Sequence, residues 1–271
     1  MRTGFRNGIA RTGAAALVGV ALTMTPSAAQ TPAPAFKAAR TADGKPNLNG
    51  FWQAVNTANW DLEDHEPRVG SAELGVLGTM PPGLGVVVGG RIPYQPAAAA
   101  TKQAHLQKRL TDDPEARCYL PGVPRATYLP YPFEIIQGPA KIVIVYGVGE
   151  ATRTIHLDKV VPPPVDTWMG RSQGRFEGET LVVEVTGQNG MTWFDRSGNF
   201  ASENLRVVER YTPLTPYHLQ YEATLEDPTV FTRPWTISMP LYRRMEANPQ
   251  ILEFKCVEFS EALVWRDLLK K

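Results

Sequence analysis

Apolar and polar side chains alternate along several short segments of the C-terminal half of the chain. In the segment 219–226, every second residue is apolar, namely Leu219, Tyr221, Ala223 and Leu225. The same period of two continues in 205–211, 233–241 and 251–258. This alternation is typical of antiparallel strands with one face against a core and the other face in water.

A β-hairpin is predicted between Gly174 and Val185. Two strand-like segments flank Glu177-Gly178, and glycine accepts the positive φ that tight hairpin turns require. A two-stranded ribbon brings residues on either side of its turn together. Four aromatic and charged side chains that flank the hairpin are therefore expected at one end of a sheet. They are Trp168, Arg171, Trp193 and Asp195.

Two further strands precede this hairpin. The apolar run 141–146 predicts a buried strand, and 152–158 predicts its antiparallel neighbour. In 152–158, alternation places Arg153, Ile155 and Leu157 on one face. It places His156 and Asp158 side by side on the other, which is the minimal arrangement for a general base oriented by an acid.

Helical patterns are confined to two short segments. Pro96 at a first turn, four alanines and basic residues toward the C-terminal end predict a helix over about 96–110. A second helix is predicted over 261–269, after the capping residue Ser260. The fold class that follows is mainly β with one or two short helices. The sheet forms either a closed antiparallel barrel of the lipocalin or calycin type, or a β-sandwich.

The N-terminus has the pattern of a bacterial export signal. Arginines precede the apolar run 13–22, and small residues follow at Ser27-Ala28-Ala29. We therefore predict a signal peptide over 1–29, a flexible leader over 30–45 and one β-rich domain over 46–271. The protein is expected in the periplasm or outside the cell.

The charge balance excludes some classes of partner. Cleavage after Ala29 removes three arginines and no acid, which leaves 25 basic and 27 acidic residues and a net charge of −2. Binding to nucleic acid or to an anionic membrane surface requires a clustered basic surface, so neither is predicted. After the signal peptide, no apolar segment is long enough to span a bilayer. The expected partner is a small-molecule substrate or ligand.

The chain contains two cysteines, Cys118 and Cys256. In an oxidising compartment they are expected to form one disulfide, and the alternative is a pair of buried thiols.

A long irregular segment, 56–95, contains a run of glycines at 83–90. A nucleotide-binding loop would need a Gly-x-Gly-x-x-Gly sequence between a strand and a helix, whereas this run leads into Arg91 and the proline-containing 92–96. No nucleotide site and no cofactor are predicted. A segment of this kind is more often a covering loop.

Six segments together resemble an uncharacterised family of secreted, periplasmic bacterial proteins. They are 43–52 (DGKPNLNGFW), 118–125 (CYLPGVPR), 152–158 (TRTIHLD), 168–184 (ending in GRFEGETLVVE), 192–195 (TWFD) and 226–235 (EDPTVFTRPW). The resemblance implies export and assigns no activity. Many members carry Gly-x-Pro-His-Ser/Thr-Glu where this chain has the sequence from Gly198 to Glu203, without the histidine. Too few imidazoles remain for a metal centre, so no metal ligand is predicted.

A shorter resemblance concerns the first strand. Gly50-Phe51-Trp52 is similar to the Gly-x-Trp that begins many lipocalin-like barrels, where the indole plugs one end of the barrel. The alternative is an ordinary strand with a tryptophan in the core.

Two functional hypotheses follow from these patterns. In the first, the protein is a periplasmic, cofactor-free lyase, isomerase or hydrolase that performs acid-base chemistry on a small organic or aromatic substrate in the barrel mouth. Its catalytic residues would be His156, Asp158, Asp195 and Arg171, and its substrate-binding residues Trp168, Trp193, Trp235 and Glu203. In the second, the same pocket belongs to a non-catalytic lipocalin-like carrier of a small apolar ligand. Charged groups beside aromatic walls favour the enzyme.

Overall fold

The computed structural model describes residues 36–70, 79–149, 151–159 and 164–257, and the predicted signal peptide and 261–269 helix lie outside this part of the chain. The strands are β1 (Gly50–Ala54), β2 (Phe133–Gln137), β3 (Lys141–Tyr146), β4 (Thr152–His156), β5 (Arg171–Glu177), β6 (Thr180–Thr186), β7 (Arg206–Thr215), β8 (His218–Glu226) and β9 (Trp235–Arg243). The helices are α1 (Pro96–Gln107), α2 (Arg109–Asp112), the 3₁₀ helix Pro114–Arg117 and α3 (Arg125–Tyr128).

The nine strands form one closed barrel in sequence order, because β9 pairs with β1. The barrel alternative of the predicted fold class is therefore confirmed, and the sandwich is not formed. Every neighbouring pair is antiparallel except β4 and β5, which run parallel. A parallel pair requires a connection that crosses from one end of the barrel to the other. β4 ends at His156 and β5 begins at Arg171, so this connection lies between those two residues.

The predicted hairpin is present as β5 and β6, with Gly178 at a φ of 61° in the turn. The alternation predicted for β4 is also confirmed, because Arg153 and Ile155 are buried while His156 is half-buried. The first part of the predicted 96–110 helix is α1, and α2 follows it after Lys108.

One end of the barrel, which we call the plugged end, is filled by Trp52. The indole is buried and donates its Nε1 hydrogen to the Leu48 carbonyl at 3.0 Å. The guanidinium of Arg243, at the end of β9, lies 4.2 Å from the centre of the indole ring. Arg243 also donates to the carbonyls of Asn49 and Pro216 at 2.8 Å, so it ties the chain around this end.

A charged pair lies inside the barrel. Arg153 of β4 and Glu209 of β7 are 3% and 0% exposed and are joined by two side-chain hydrogen bonds. Arg153 Nε donates to Ser172 Oγ at 2.7 Å. The hydroxyls of Tyr211 and Tyr221 donate to Glu209 Oε1 at 3.0 and 2.9 Å. Buried charges are tolerated when they are paired and hydrogen-bonded in this way.

The opposite end, which we call the loop end, carries the long connections between β1 and β2, β6 and β7, and β8 and β9. They fold over the barrel in contact with one another. Residues 86–88 hydrogen-bond along β9, since Val88 N donates to Thr236 O and Ser238 N donates to Val86 O at 2.8 and 2.9 Å. The ring of Tyr94 packs against the ring of Phe231, with centres 5.3 Å apart and planes inclined by 52°. The described parts of the irregular segment, 56–70 and 79–95, thus cover this end of the barrel.

Two predicted segments differ from the structure. Residues 36–45 belong to the predicted flexible leader, but they are held to the barrel because Glu179 accepts hydrogen bonds from Ala38 N and from the Arg40 guanidinium. The strand predicted over 251–258 is wrong for its described part, since 251–257 has no regular secondary structure. Its alternation has no partner, because β9 already pairs with β1.

The disulfide between Cys118 and Cys256 is present. It joins the segment after the 3₁₀ helix to the irregular C-terminal segment, which also contacts the loop end through Tyr131 and Phe254, whose ring centres are 6.0 Å apart. The disulfide, and not strand pairing, therefore attaches this part of the chain to the rest of the protein.

Candidate functional site

An open cleft of about 390 Å³ lies at the loop end and has aromatic walls. On one side, Tyr119 and Trp168 stack with ring centres 4.6 Å apart and planes inclined by 10°. On the other, His105 and Trp193 stack at 4.5 Å and 20°. Met191 and Phe200 contribute further apolar surface. The cleft therefore presents aromatic and apolar side chains from four separate segments of the chain.

Local backbone features set the position of the Tyr119 wall. Asp113 accepts a hydrogen bond from Glu115 N at 3.0 Å and so begins the 3₁₀ helix. Cys118 ends that helix with a left-handed φ of 61°, and the disulfide fixes it there. Tyr119 follows directly and is 47% exposed, so its ring is accessible from the cleft.

His105 reaches the cleft because α1 approaches the β6–β7 connection closely. Gly198 has a φ of 81°, and a Cβ atom there would lie 2.5 Å from His105 Cβ. Glycine is thus required at this contact. His105 Nδ1 lies 3.2 Å from the Gly198 carbonyl, and the ring meets Phe200 edge-on at 4.9 Å. Partial burial lowers the pKa of His105, which favours the neutral imidazole.

The cleft also carries charge of both signs. Asp112, at the end of α2, and Arg117, at the end of the 3₁₀ helix, are exposed at its edge. Behind them, Arg125 makes a bidentate pair with Asp113 at 2.7 and 2.9 Å. Burial disfavours the charged guanidinium, but the Asp113 carboxylate outweighs that effect and raises the pKa of Arg125. This buried pair fixes the segment that bears the cleft's charged edge.

Asp195 lies inside the loop end and is 0% exposed. Its carboxylate accepts from the backbone N–H groups of Leu62, Ser197 and Asn199 and from Asn199 Nδ2, at 2.6 to 3.2 Å. Asp61 shares this cluster, because Ser197 Oγ donates to it at 2.7 Å. Burial and the nearby Asp61 charge raise the pKa of Asp195 to about 7. The pair joins the 56–95 cover to the β6–β7 connection.

The predicted catalytic and substrate-binding residues lie in different parts of the structure. Trp168 and Trp193, predicted to bind substrate, line the same cleft, whereas Asp195 is buried beneath the surface. His156 and Asp158 lie on the outer wall of the barrel, where Gln173 Nε2 donates to both of their carbonyls at 2.8 Å. Arg171 donates to Gln173 Oε1 at 3.2 Å and lies on the same wall. The outer-wall group follows directly from the alternation of β4 and β5.

Trp235 and Glu203 occupy other positions. Trp235 begins β9, is buried, and packs edge-on against Phe194 and Phe231 in the core. Glu203 is exposed in the β6–β7 connection. Neither residue lines the aromatic cleft as the structure defines it.

Sequence patterns missed two residues of the cleft. His105 falls within the predicted 96–110 helix and Tyr119 within the 118–125 segment, and neither has an assigned role. No sequence signal marks these two positions; the structure shows instead a left-handed backbone at Cys118, beside Tyr119, and a close approach at Gly198. Both are consequences of packing between distant segments, which periodicity does not encode.

Within residues 36–70, 79–149, 151–159 and 164–257, no group of three His, Cys, Asp or Glu side chains is placed to hold a metal ion. None of the helices in these ranges has the length and apolar character needed to cross a membrane.

No protein-family model, no curated protein and no solved structure matches this chain.

Proposed function

We propose that this protein binds a small planar organic molecule in the aromatic cleft at the loop end. The observation that carries the proposal is the pair of stacked walls, Tyr119 with Trp168 and His105 with Trp193, on an open cleft of about 390 Å³. Small-molecule sites are typically concave and mostly apolar, with a few polar groups that orient the ligand. His105, Asp112 and Arg117 supply such groups here.

The walls select for shape as well as for low polarity. Aromatic rings bury large areas and prefer offset-stacked or edge-to-face contacts with other rings. A flat ligand gains such contacts with the walls, whereas a saturated ring of the same size gains only burial. We therefore expect 4-methylphenol to bind more tightly than trans-4-methylcyclohexanol, which matches it in size and in its hydroxyl group.

Trp168→Ala is expected to weaken binding of 4-methylphenol by about tenfold or more, because burial of one aromatic side chain is worth roughly 1.5–3 kcal/mol. Trp168 is half-buried, so its removal should leave the barrel intact. The dissociation constant is measured by ligand-observed NMR titration, and folding is checked by circular dichroism.

Trp60→Phe provides the matched control. Trp60 is also half-buried, but it packs against the Arg196 guanidinium at 4.9 Å and does not line the cleft. Its replacement should leave the dissociation constant for 4-methylphenol within about twofold of the wild-type value. This change is much smaller than the tenfold change expected for Trp168→Ala, which corresponds to about 1.4 kcal/mol. Equal losses in both variants would show that the probe does not occupy the cleft.

A second candidate function is acid-base catalysis in the same cleft, in keeping with the enzyme hypothesis. His105 favours it, because a neutral imidazole on an aromatic cleft is suited to accept a proton from a bound substrate. The exposed Asp112 carboxylate on the same cleft would support the resulting imidazolium. A compound recovered chemically changed after incubation with the protein, and unchanged with His105→Phe, would establish catalysis. Recovery unchanged in both cases would leave the carrier function.

We also propose that the protein works in the periplasm. The N-terminal pattern supports this location, and the Cys118–Cys256 disulfide suits an oxidising compartment. Protein purified from periplasmic extract is expected to begin at Gln30. Mass spectrometry of the intact protein tests this, and a species that retains Met1 would contradict it.

A further inference from the structure

We infer that the ligand of the aromatic cleft carries a hydroxyl or N–H group that donates a hydrogen bond to His105 Nε2, and that phenols are therefore its chemical class. This inference rests on the proposed function, since it assumes that the cleft binds a planar molecule. It adds a chemical requirement that aromatic walls alone do not impose. His105 would then be the residue that determines specificity among flat ligands.

The tautomer of His105 follows from its contacts. A carbonyl oxygen can only accept, so the contact between Nδ1 and the Gly198 carbonyl at 3.2 Å requires hydrogen on Nδ1. In a neutral imidazole the other nitrogen then carries a lone pair and acts as an acceptor. Within the described residues, the Gly198 carbonyl is the hydrogen-bond partner of this ring, and the bond is made at Nδ1. We therefore infer that Nε2 accepts a hydrogen bond from a molecule in the cleft.

The imidazole is also held in one orientation. It is stacked on Trp193, which is 6% exposed, and Phe200 meets it edge-on. Gly198 lets the two segments approach closely, since a Cβ atom there would lie 2.5 Å from His105 Cβ. An acceptor fixed in this way discriminates between ligands, because a partner that lacks the donor leaves Nε2 without the hydrogen bond that water supplied.

The charges beside the cleft agree with a neutral donor ligand. Asp112 and Arg117 carry opposite charges at the edge, so neither a simple anion nor a simple cation is favoured. The walls themselves are apolar rings. A phenol fits this environment because it combines a flat ring with a single strong donor.

The first test reads the tautomer directly in the wild-type protein. Nitrogen-15 NMR of the imidazole at pH 7.5 should show hydrogen on Nδ1 of His105 and a lone pair on Nε2, with the resonances assigned by their loss in His105→Asn. Addition of 4-methylphenol should shift the Nε2 resonance, and addition of 4-methoxytoluene, which lacks the donor, should not. Hydrogen on Nε2 would overturn the inference, even if both compounds bind.

The second test measures how strongly the cleft prefers a ligand with a hydrogen-bond donor over one without it. The wild type is expected to bind 4-methylphenol about tenfold more tightly than 4-methoxytoluene, as one hydrogen bond of about 1.4 kcal/mol implies. His105→Phe keeps a ring beside Trp193 and should reduce this ratio to about one to two. His105→Asn keeps a donor for the Gly198 carbonyl but lacks the Nε2 acceptor, so the preference should also disappear. His105→Gln places an amide oxygen near the Nε2 position and should restore part of it.

The outcomes separate this inference from the proposed function. A preference that persists in His105→Phe, or equal wild-type affinities for the two compounds, would refute the role of His105 while leaving the cleft as a binding site. If neither compound shifts any wild-type resonance, both the proposed function and this inference fail. If a variant does not fold, the wild-type nitrogen-15 shifts decide the question by themselves.

Discussion

Glu209→Gln is expected to lower the free energy of unfolding by about 3–5 kcal/mol, because removal of one partner of a buried ion pair leaves the other charge uncompensated. Glu209 and Arg153 are 0% and 3% exposed inside the barrel. The substitution changes shape very little. An amide oxygen can still accept from the hydroxyls of Tyr211 and Tyr221, which donate to Glu209 Oε1 in the wild type. The decrease in the free energy of unfolding therefore measures the effect of removing the negative charge of Glu209.

The geometry explains why the loss should be large. Both terminal nitrogens of Arg153 donate to the two carboxylate oxygens of Glu209. Glu209→Gln replaces one of these oxygens with an NH₂ group that faces another donor. Arg153 Nε retains its bond to Ser172 Oγ, but a neutral hydroxyl does not balance a buried positive charge.

Urea unfolding gives the measurement, and an exposed ion pair gives the control. Arg206 and Glu184 form a salt bridge at 2.7 Å with side chains 45% and 39% exposed. Glu184→Gln is expected to change the free energy of unfolding by less than about 1 kcal/mol. Comparable effects at Glu184 and Glu209 would contradict the view that the barrel interior depends on its ion pair. The double variant Arg153→Met/Glu209→Gln should recover part of the loss, because it removes the isolated charge.

The strands and part of this interior were readable from the sequence. Period-two alternation predicts the faces of β4, and it places Arg153 beside the buried Ile155. An arginine on an apolar face requires a carboxylate partner, but alternation does not tell which strand supplies it. Around the closed barrel, β7 lies three strands from β4 in one direction and six strands in the other. Only closure of the sheet brings the two side chains together.

Closure itself was left open by the sequence. A barrel and a sandwich use the same alternating strands, and the difference lies in whether the last strand pairs with the first. The deciding contact joins β1 to β9 through three residue pairs, from Trp52 with Arg243 to Ala54 with Leu241. Gly50-Phe51-Trp52 indicated which end would be plugged. The parallel pairing of β4 and β5 had no sequence signal.

Only part of the site could be predicted, because some of its residues come from segments that are distant in the sequence. Trp168 and Trp193 flank a hairpin, so sequence proximity to one turn was enough to place them together. His105 and Tyr119 reach the same cleft from the β1–β2 connection, through helix packing and a disulfide. Asp195 was predicted beside Trp193, but 192–195 is buried throughout, and the Asp195 carboxylate accepts from the backbone N–H groups of Leu62 and Asn199. Its carboxylate therefore lies under the cleft wall and holds loops together.

The buried carboxylates Asp195 and Asp61 lead to the second large prediction, a loss of stability as the pH rises. Burial and the Asp61 charge raise the pKa of Asp195 to about 7, whereas an aspartate in an unfolded chain has a pKa of about 3.9. Between these values the folded state binds more protons than the unfolded state. The free energy of unfolding therefore falls with rising pH across this interval. From pH 5 to pH 8 the contribution is roughly 2–3 kcal/mol.

Asp61→Asn isolates this effect from other titrating groups. The substitution removes the charge that raises the pKa of Asp195, and its amide oxygen can still accept from Glu63 N, which donates to Asp61 at 3.1 Å. Burial continues to raise the pKa of Asp195, so the slope should become shallower without vanishing. The free energy of unfolding of the wild type should therefore exceed that of the variant at pH 5, and this difference should become smaller by pH 8.

Urea unfolding at pH 5, 6, 7 and 8 provides the comparison, and carbon-13 NMR of the Asp195 carboxyl in the wild type provides a readout that does not depend on a folded variant. Parallel pH profiles for wild type and Asp61→Asn would contradict coupling between the two carboxylates. A carboxyl resonance that titrates near pH 4 would show that the four N–H donors around Asp195 outweigh its burial. Titration near neutral pH would make this pair the element through which the loop end, and the cleft it carries, responds to pH.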